Sequence, residues 1–333
     1  MIARSQPGYE DLLRGELARL GAATTESAPG WLRVLHTGDN PPSDLCFAHR
    51  LLLNPAEIYA ITVNGLAQDL LNFFLETSRD ERFDAPWPCL FEAAAVDGLA
   101  RRAATVDGVF LAQLKKRLSR VARLAVPVVP GTPARVRGFF VFFTDFGRAF
   151  VAREILLNGQ RRMADDPLAP SRSYLKIEEA FNLLGRAPAP GETVIDLGAA
   201  PGGWSYAAAK RGAKVAAIDN GPLKGGALGH PAITHLREDA FAHRPRQAAD
   251  WLLCDLVEEP HHVLENIVRP WLENRWCRRF VVNLKFGRVD PLALLDTLRA
   301  PGGVLGKRAP GTRIRHLHHD REELTLAGEL PPA

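Results

Sequence analysis

Cysteine is scarce, and its few copies show no pairing pattern. The 333 residues include four cysteines, at positions 46, 89, 254 and 277, and none of them forms a Cys-x-x-Cys pair. No histidine is spaced to complete a zinc site with them. A disulfide framework is not expected at this length and density, so the scattered thiols indicate a protein of the reducing cytoplasm. We therefore expect no metal site.

Long apolar runs are missing as well. The opening segment Met1–Gly8 lacks the apolar core of a signal peptide. No run reaches the roughly 18 apolar residues that a membrane-spanning helix requires. We predict no membrane span and, by default, a monomer. Hydrophobic residues nevertheless make up 46% of the chain, which is enough for sizeable cores in one to three domains.

A large excess of charge of either sign is also absent. The chain has 42 lysines and arginines against 38 acids, a net charge of +4. Residues 101–140 depart from that balance, because they contain nine basic residues and a single acid, Asp107. Ala112–Leu124 within them is predicted to be a basic amphipathic helix. Such a patch suits a phosphate polyanion such as RNA, although a solvated helix face gives the same pattern.

A polar, proline-rich connector divides the chain near residues 155–172. We predict an α+β domain over residues 1–160 and a second domain over residues 171–333. The first domain is expected to contain two further helices and a hairpin. They are Glu10–Leu20, Leu66–Leu75, and the strands Val136–Thr144 and Ala149–Glu154 around a turn at Asp145–Gly147. The phenylalanines of this hairpin, at positions 139, 140, 142, 143 and 146, are expected mainly to pack in the core.

The second domain alternates apolar strands with helical segments, which predicts a mainly parallel sheet covered on both faces. An antiparallel last strand fits seven strands in all. The predicted strands are Thr193–Gly198, Lys214–Asp219, Ile233–Leu236, Asp250–Asp255, Arg279–Lys285, Arg313–His318 and Glu323–Ala327. The predicted helices are Trp204–Arg211 and His261–Glu273.

A glycine-rich loop, Asp196–Trp204, follows the first of these strands. Ligands bind at that edge of open α/β sheets, and glycines let the backbone approach them closely. The loop is neither a Gly-x-Gly-x-x-Gly fingerprint nor a P-loop, which argues against a dinucleotide-dependent oxidoreductase. Its Ala-Ala-Pro turn suits an amino-acid tail. Asp219 and Asp239, at the ends of the next two strands, are candidates for binding ribose hydroxyls and an adenine amino group, although strand-end acids commonly serve as turn residues.

Further segments extend this pattern in a fixed order across the second domain. They are Ser171–Phe181, the glycine-rich loop, Asp219–Pro222, Leu236–Asp239, Cys254–Glu258, Asn283–Lys285 and His319–Glu323. Together they resemble the FtsJ/RrmJ-type ribose 2′-O-methyltransferases, and more closely the ribosomal RNA large subunit methyltransferase M family. Residues 171–325 carry the likeness. The first domain resembles the RNA-binding region of that family, which contains a THUMP domain, much more weakly.

The resemblance implies a Rossmann-like class I methyltransferase domain that uses S-adenosylmethionine to methylate a cytidine 2′-hydroxyl in 23S rRNA. The substrate is then 23S rRNA or a precursor of the large subunit. It also implies a catalytic Lys-Asp-Lys-Glu tetrad, here Lys176, Asp255, Lys285 and Glu323. The positions expected to bind the cofactor are Ser173, Gly198, Ala200, Pro201, Gly202, Gly203, Trp204, Asp219, Asp239 and Asp255.

The chemistry of the reaction explains why such residues are needed. A ribose hydroxyl is barely ionised at neutral pH, so a general base must remove its proton. Lys285 is the candidate base. The positive charge of Lys176 would lower its pKa, whereas the two carboxylates would raise it, and sequence does not decide between them. Alternatively, a charged Lys285 stabilises a developing alkoxide.

Several alternatives stay open at this point. Glu322 competes with Glu323 for the last tetrad position. A catalytically inactive RNA-binding or ribosome-assembly factor would retain the fold without the activity. A methyltransferase for amines in proteins or small molecules would be expected to carry an Asn/Asp-Pro-Pro-Tyr motif, where this chain has Asp255–Glu258. His318 and His319 point to opposite faces if they lie in a strand, so they do not suggest a metal site.

Overall fold

The computed structural model describes residues 1–35 and 40–332. It divides the chain into two units, Met1–Asn158 and Gly159–Ala333. The polar segment that follows Asn158 therefore belongs to the second unit. No helix in the described ranges is long and apolar enough to cross a membrane.

The described part of the first unit contains a nine-stranded sheet and four helices. The strands are β1 (Ile2–Arg4), β2 (Ala23–Ala28), β3 (Trp31–Leu35), β4 (Arg50–Leu53), β5 (Ala56–Tyr59), β6 (Trp87–Ala93), β7 (Ala125–Val126), β8 (Ala134–Asp145) and β9 (Arg148–Leu157). The helices are α1 (Glu10–Arg19), α2 (Val63–Thr77), α3 (Leu99–Arg117) and α4 (Ser119–Leu124). The strand order is β2-β3-β1-β4-β9-β8-β6-β7, and β5 also pairs with β9.

The predicted hairpin is confirmed, because β8 and β9 pair in antiparallel register as far as the turn at Asp145 and Arg148. The predicted basic helix Ala112–Leu124 is wrong in its bounds. Its first half is the end of the long helix α3, and Leu118, with φ −137° and ψ 70°, leaves the helical region before α4 begins. The likeness of this unit to a THUMP domain stays a prediction.

The phenylalanines of β8 fill both faces of the sheet. Phe139 and Phe143 pack with α2 and α3, whereas Phe140 and Phe142 pack on the opposite face. Each of these four side chains is at most 2% exposed. Phe146, at the hairpin turn, is 45% exposed. The alternation along a strand therefore places two aromatic residues in each of two cores, and a packing role accounts for these four.

The second unit is a single seven-stranded sheet with helices. The strands are β10 (Thr193–Leu197), β11 (Lys214–Ile218), β12 (Ile233–Leu236), β13 (Ala249–Cys254), β14 (Cys277–Lys285), β15 (Arg313–Arg315) and β16 (Glu323–Glu329). The helices are α5 (Ser173–Leu184), α6 (Gly203–Ala209), α7 (Pro260–Val263), α8 (Arg269–Glu273), α9 (Pro291–Arg299) and α10 (Val304–Arg308). A π-helical stretch, Leu264–Val268, joins α7 to α8.

The strand order is β12-β11-β10-β13-β14-β16-β15. Strands β10 to β14 run parallel, and β16 runs antiparallel to β14, so the predicted seven-stranded sheet with a reversed last strand is confirmed. The predicted helix over 261–273 is one helical run interrupted by the π-helical stretch. Helices α5, α9 and α10 were not predicted. The reversed strand matters for function, because it starts at the edge where the parallel strands end.

We predict that Phe139→Ala destabilises the first unit by about 3–5 kcal/mol, because it removes a ring from a filled core. Phe139 stacks on Phe110 at 4.8 Å and meets Phe74 edge-on at 5.4 Å. Urea denaturation of the full chain measures the loss. Phe146→Ala is the matched control and should change stability by no more than about 0.5 kcal/mol. Equal effects of the two substitutions would contradict this packing scheme.

Candidate active site

Four ionisable side chains from four elements meet at one edge of the second sheet. Lys285 Nζ donates hydrogen bonds to Asp255 Oδ1, at 2.5 Å, and to Glu323 Oε2. Lys176 Nζ donates to the other oxygen of Glu323, Oε1. The side chain of Glu323 is 5% exposed and that of Lys285 is 24% exposed. The structure thus brings together the four residues of the predicted tetrad, in a chain from Asp255 through Lys285 and Glu323 to Lys176.

The sheet topology explains this convergence. Asp255 directly follows β13, and Lys285 is the last residue of the neighbouring parallel strand β14. Glu323 is the first residue of β16 and lies opposite Lys285 in the antiparallel register. Lys176 comes from α5, which packs on β16. Two parallel strands and one reversed strand therefore present their side chains at the same edge.

The strand register also distinguishes Glu323 from Glu322, which the sequence left as alternatives for the last tetrad position. Glu323 is buried and contacts both lysines, whereas Glu322 is exposed and its carboxylate lies towards Gly287. Glu322 lies just before β16, so of the two residues only Glu323 belongs to the strand that faces Lys285. The geometry supports Glu323 as the tetrad member.

Electrostatic interactions favour the ionised forms of Lys285 and Glu323. Burial lowers the pKa of Lys285, but the charges of Asp255 and Glu323 outweigh it, and the pKa is raised above its ordinary value. Burial raises the pKa of Glu323, but the positive charges of Lys285 and Lys176 outweigh it and leave the pKa lowered. The two carboxylates, which sequence could not weigh against Lys176, therefore determine the direction in which the pKa of Lys285 is shifted.

A buried carboxyl supports the turn that precedes Glu323. Asp320 Oδ2 accepts hydrogen bonds from the Leu317 N–H, at 2.8 Å, and from the Thr325 hydroxyl, at 2.9 Å. Asp320 is 1% exposed, and burial, together with the charge of Glu323, raises its pKa to about 7. Asp320 thus links the turn to β16 on both sides of Glu323 and fixes where the strand begins.

Glu179 is a second anchor, which the sequence reading did not single out. Its fully buried carboxylate accepts hydrogen bonds from the backbone N–H groups of Arg161, His318 and His319, at 2.9, 2.8 and 3.1 Å. Burial raises its pKa to about 8 despite these donors. It lies one turn after Lys176 on α5. An acid among the apolar residues of an amphipathic helix was the signal that could have revealed it.

The glycine-rich loop packs closely against the residues around it. Gly198 and Gly202 have φ of +75° and +109°, which side chains rarely adopt. A Cβ on Gly198 would lie 2.7 Å from Leu256, and one on Gly202 would lie 2.5 Å from Ala227. At the start of α6, a Cβ on Gly203 would meet the Ser173 hydroxyl at 2.8 Å. Glycine is therefore required by both conformation and space.

The other predicted cofactor residues surround this loop. Asp219 accepts the Ala200 N–H at 3.0 Å through Oδ2 and the Gly221 N–H at 2.7 Å through Oδ1. Asp239 is exposed and accepts the Phe241 N–H at 2.9 Å, as a turn residue does. Trp204 is 2% exposed, and its indole donates to the Ser173 carbonyl, so its side chain packs in the core.

The remaining two loop positions and the acid after the fourth strand complete the set. Pro201 follows Ala200 through a cis peptide bond. Asp255, which is also a tetrad member, donates its backbone N–H to the Leu197 carbonyl at 3.2 Å. The acid therefore lies beside the start of the glycine-rich loop. The cluster of ionisable groups and the candidate cofactor loop are parts of one site.

The basic segment of the first unit is less uniform than its sequence indicates. Arg135 pairs with Glu154, and Arg137 pairs with both Glu154 and Glu81. Arg120 pairs with Asp84. The predicted patch over residues 101–140 is therefore wrong as a single cationic surface, because β8 carries two of its arginines into ion pairs. Exposed cations without a carboxylate partner among the described residues remain on α3 and α4, and they are Arg101, Lys115, Lys116, Arg117 and Arg123.

Histidine rings near the site bind the polar segment that opens the second unit. Arg162 Nε donates to His318 Nε2, and the Met163 N–H donates to His319 Nε2, each at 2.9 Å. Across residues 1–35 and 40–332, no group of three or more His, Cys, Asp or Glu side chains is arranged to hold a metal ion. All four cysteines are buried free thiols.

Known proteins resemble this chain in sequence. Residues 169–278 match the FtsJ-like methyltransferase family, which defines the second unit as a methyltransferase domain. Relatives named Ribosomal RNA large subunit methyltransferase M are 38% identical over 264 residues in Laribacter hongkongensis, 38% over 205 in Halorhodospira halophila and 43% over 171 in Alkalilimnicola ehrlichii. These matches cover 74%, 60% and 50% of this chain and 70%, 59% and 47% of the relatives.

The chain belongs to the ribosomal RNA large subunit methyltransferase M family, whose methyl donor is S-adenosylmethionine. The residues present fit that cofactor. Gly198 and Gly202 hold the loop in its turn through their positive φ, and Asp219, directly after β11, offers carboxylate lone pairs to a ligand beyond those used by two amides.

We predict that Asp219→Asn weakens S-adenosylmethionine binding about tenfold or more, because an amide replaces an acceptor that the ribose hydroxyls need. Isothermal titration calorimetry on the full chain measures the affinity, and a melting curve reports whether the fold is retained. Glu238→Gln is the matched control, since Glu238 is exposed and lies beside Asp239. Equal affinities of the two variants would exclude Asp219 from the cofactor site.

Proposed function

We propose that this protein transfers the methyl group of S-adenosylmethionine to the ribose 2′-hydroxyl of a cytidine in 23S rRNA. Membership in the family supports methylation of large-subunit rRNA. The choice of a ribose oxygen rests on the ionic cluster of Lys176, Asp255, Lys285 and Glu323. Such a cluster provides what a poorly ionised hydroxyl requires, which is a group that removes its proton next to a bound methyl donor.

The observation that carries the proposal is the hydrogen bonding of Lys285. A charged lysine has three N–H donors. Two of those of Lys285 are directed at the carboxylates of Asp255 and Glu323. The third tetrahedral direction at Nζ has no protein partner among the described residues. In the neutral amine that direction holds the lone pair. A substrate hydroxyl placed there lies in position to give up its proton to Lys285.

The proposed reaction accounts for the proton, the bond that forms and the bond that breaks. The cofactor supplies an electrophilic methyl group on sulfur. Lys285 Nζ takes the 2′-hydroxyl proton, the oxygen forms its bond to the methyl carbon, and the sulfur–methyl bond breaks. The products are the 2′-O-methylated ribose, S-adenosylhomocysteine and a proton held on Lys285. Glu323 and Asp255 fix the direction of the amine, which supports the alignment that such a transfer requires.

Lys176 is assigned a positioning role rather than that of a base. It contacts Glu323 and its side chain is 13% exposed. Its positive charge lowers the cost of burying that carboxylate and repels a proton on Lys285. Losing this charge would therefore leave Glu323 with one partner and Lys285 more firmly protonated.

The first unit is proposed to bind the RNA substrate through exposed cations of α3 and α4. Lys115, Lys116, Arg117 and Arg123 are exposed, and no carboxylate in the described ranges pairs with them. Unpaired lysines and arginines of this kind supply affinity for phosphate groups without reading sequence. The proposed substrate is 23S rRNA, free or in a precursor of the large subunit, bound by a monomer.

We predict that the wild-type chain transfers tritiated methyl groups from S-adenosylmethionine to 23S rRNA made without modifications, or to large-subunit precursor particles. Nuclease digestion and mass spectrometry should identify 2′-O-methylcytidine. Lys285→Ala should lower the rate at least about 10²-fold, the usual contribution of a general base. The exposed Lys307→Ala is the control. Cofactor binding without transfer to any RNA would instead indicate an inactive binding factor.

We predict that log(kcat/KM) rises with pH throughout about pH 6 to 9 without levelling off, because Lys285 must lose a proton and its pKa is raised above its ordinary value. Glu323→Gln removes one of the charges that raise the pKa of Lys285. The rise in log(kcat/KM) should therefore move to lower pH, even if the maximum rate falls. Glu322→Gln should leave the profile in place. An activity that is level and then falls with rising pH would show that Lys285 acts in its charged form.

A further inference from the structure

The chemistry of RNA places a phosphate beside every reacting hydroxyl. The 2′-oxygen is bonded to the carbon next to C3′, and C3′ carries the phosphate that leads to the next nucleotide. A 2′-hydroxyl that reaches Lys285 therefore brings at least one negative charge to the edge of the cluster. The cluster itself offers little attraction for it, because two lysines are balanced there by two carboxylates.

Three arginines stand on the loops around the cluster, each close in sequence to one of its members. Arg172 is the N-cap residue of α5, one turn before Lys176. Arg288 lies in the loop after Lys285, and Arg321 lies two residues before Glu323. All three are exposed.

Backbone contacts tie these loops to the cluster and to each other. The Arg321 N–H donates to Glu323 Oε1 at 3.3 Å. The Phe286 N–H, two residues before Arg288, donates to the Glu322 carbonyl at 2.8 Å. The pKa of His319 is lowered by burial and then by the charges of Arg172 and Arg162, which places Arg172 near the turn that leads to Arg321. The three guanidinium groups therefore stand on adjoining loops.

These three side chains have no carboxylate partner in the part of the chain that the structure describes. Some other arginines of the second unit do fold against acids, as Arg211 does on Glu178 and Arg269 on Glu265. Four acids, Asp165, Asp166, Asp290 and Glu322, lie in the same loops, so the three arginines offer local phosphate contacts rather than a net positive surface. What the three arginines share is that they are exposed, have no carboxylate partner among the described residues and stand on loops that adjoin the cluster.

We propose that Arg172, Arg288 and Arg321 form an arginine rim that binds the RNA phosphates flanking the target ribose. A guanidinium binds a phosphate through two parallel hydrogen bonds, which fixes position as well as charge. The rim would thus align the ribose over Lys285, while the cations of the first unit add sequence-independent affinity. The inference rests on the proposed function, since it assumes an RNA substrate.

The test compares Arg172→Gln, Arg288→Gln and Arg321→Gln with Lys214→Gln in the full chain. Lys214 is an exposed cation at the start of β11, on the opposite edge of the sheet. Each rim variant should raise KM for RNA about tenfold, the loss of one charge-assisted contact. The slope of log Kd against log salt should fall by about one per arginine removed. S-adenosylmethionine affinity should stay unchanged, and Arg172→Lys should recover the salt slope while KM stays raised.

The outcomes separate this inference from the proposed function. If the wild-type chain methylates RNA and the rim variants match Lys214→Gln in KM and salt slope, the arginine rim is overturned. The proposed function is then unaffected. A wild-type chain that methylates no RNA overturns the function, and direct RNA binding then decides the rim. Weaker binding by the rim variants than by Lys214→Gln supports it, and equal binding overturns it. Melting curves that match the wild type ensure that a loss is not one of folding.

Discussion

The bridge formed by Glu323 between two lysines is the interaction on which the second unit's site depends. A carboxylate that is almost fully buried loses several kcal/mol of solvation unless cations replace the water. Lys176 and Lys285 do so from different elements, one from α5 and the other from β14. The same contacts that make the burial tolerable also set the direction of Lys285. Stability of the cluster and orientation of the Lys285 amine therefore have one cause.

Because a single strand is reversed, Glu323 lies next to the residues at which the parallel strands end. In a sheet of parallel strands alone, an N-terminal strand residue would lie at the far edge from Lys285. Because β16 runs backwards, its first residue faces the last residue of β14. Asp320 and Glu179 then hold the preceding turn, so that the strand begins at a defined place. Fold topology and two buried acids together position the glutamate.

Sequence was informative where local pattern and topology agree. The strands of the second unit alternate with helices and end in acids or glycines, so their order and the convergence of Asp255 with Lys285 could be predicted. The first unit was harder, because strands such as β1 and β4 are three or four residues long and are defined by pairing with distant partners. Arg135 and Arg137 counted as free charges in sequence, yet tertiary pairing with Glu154 and Glu81 neutralises them. The protonation of Lys285 depends on distances that no sequence pattern contains.

Glu179 also attaches the polar segment after the first unit to the fold of the second unit. Its buried carboxylate is completed by an amide of residue 161, which lies in the polar segment that looks from sequence like a dispensable tether. The carbonyl of Leu168, further along the same segment, accepts the Gly226 N–H at 2.7 Å. Any recombination that moved the catalytic unit into another protein would have to carry residues 159–170 with it. The segment is a structural part of the second unit rather than a spacer between units.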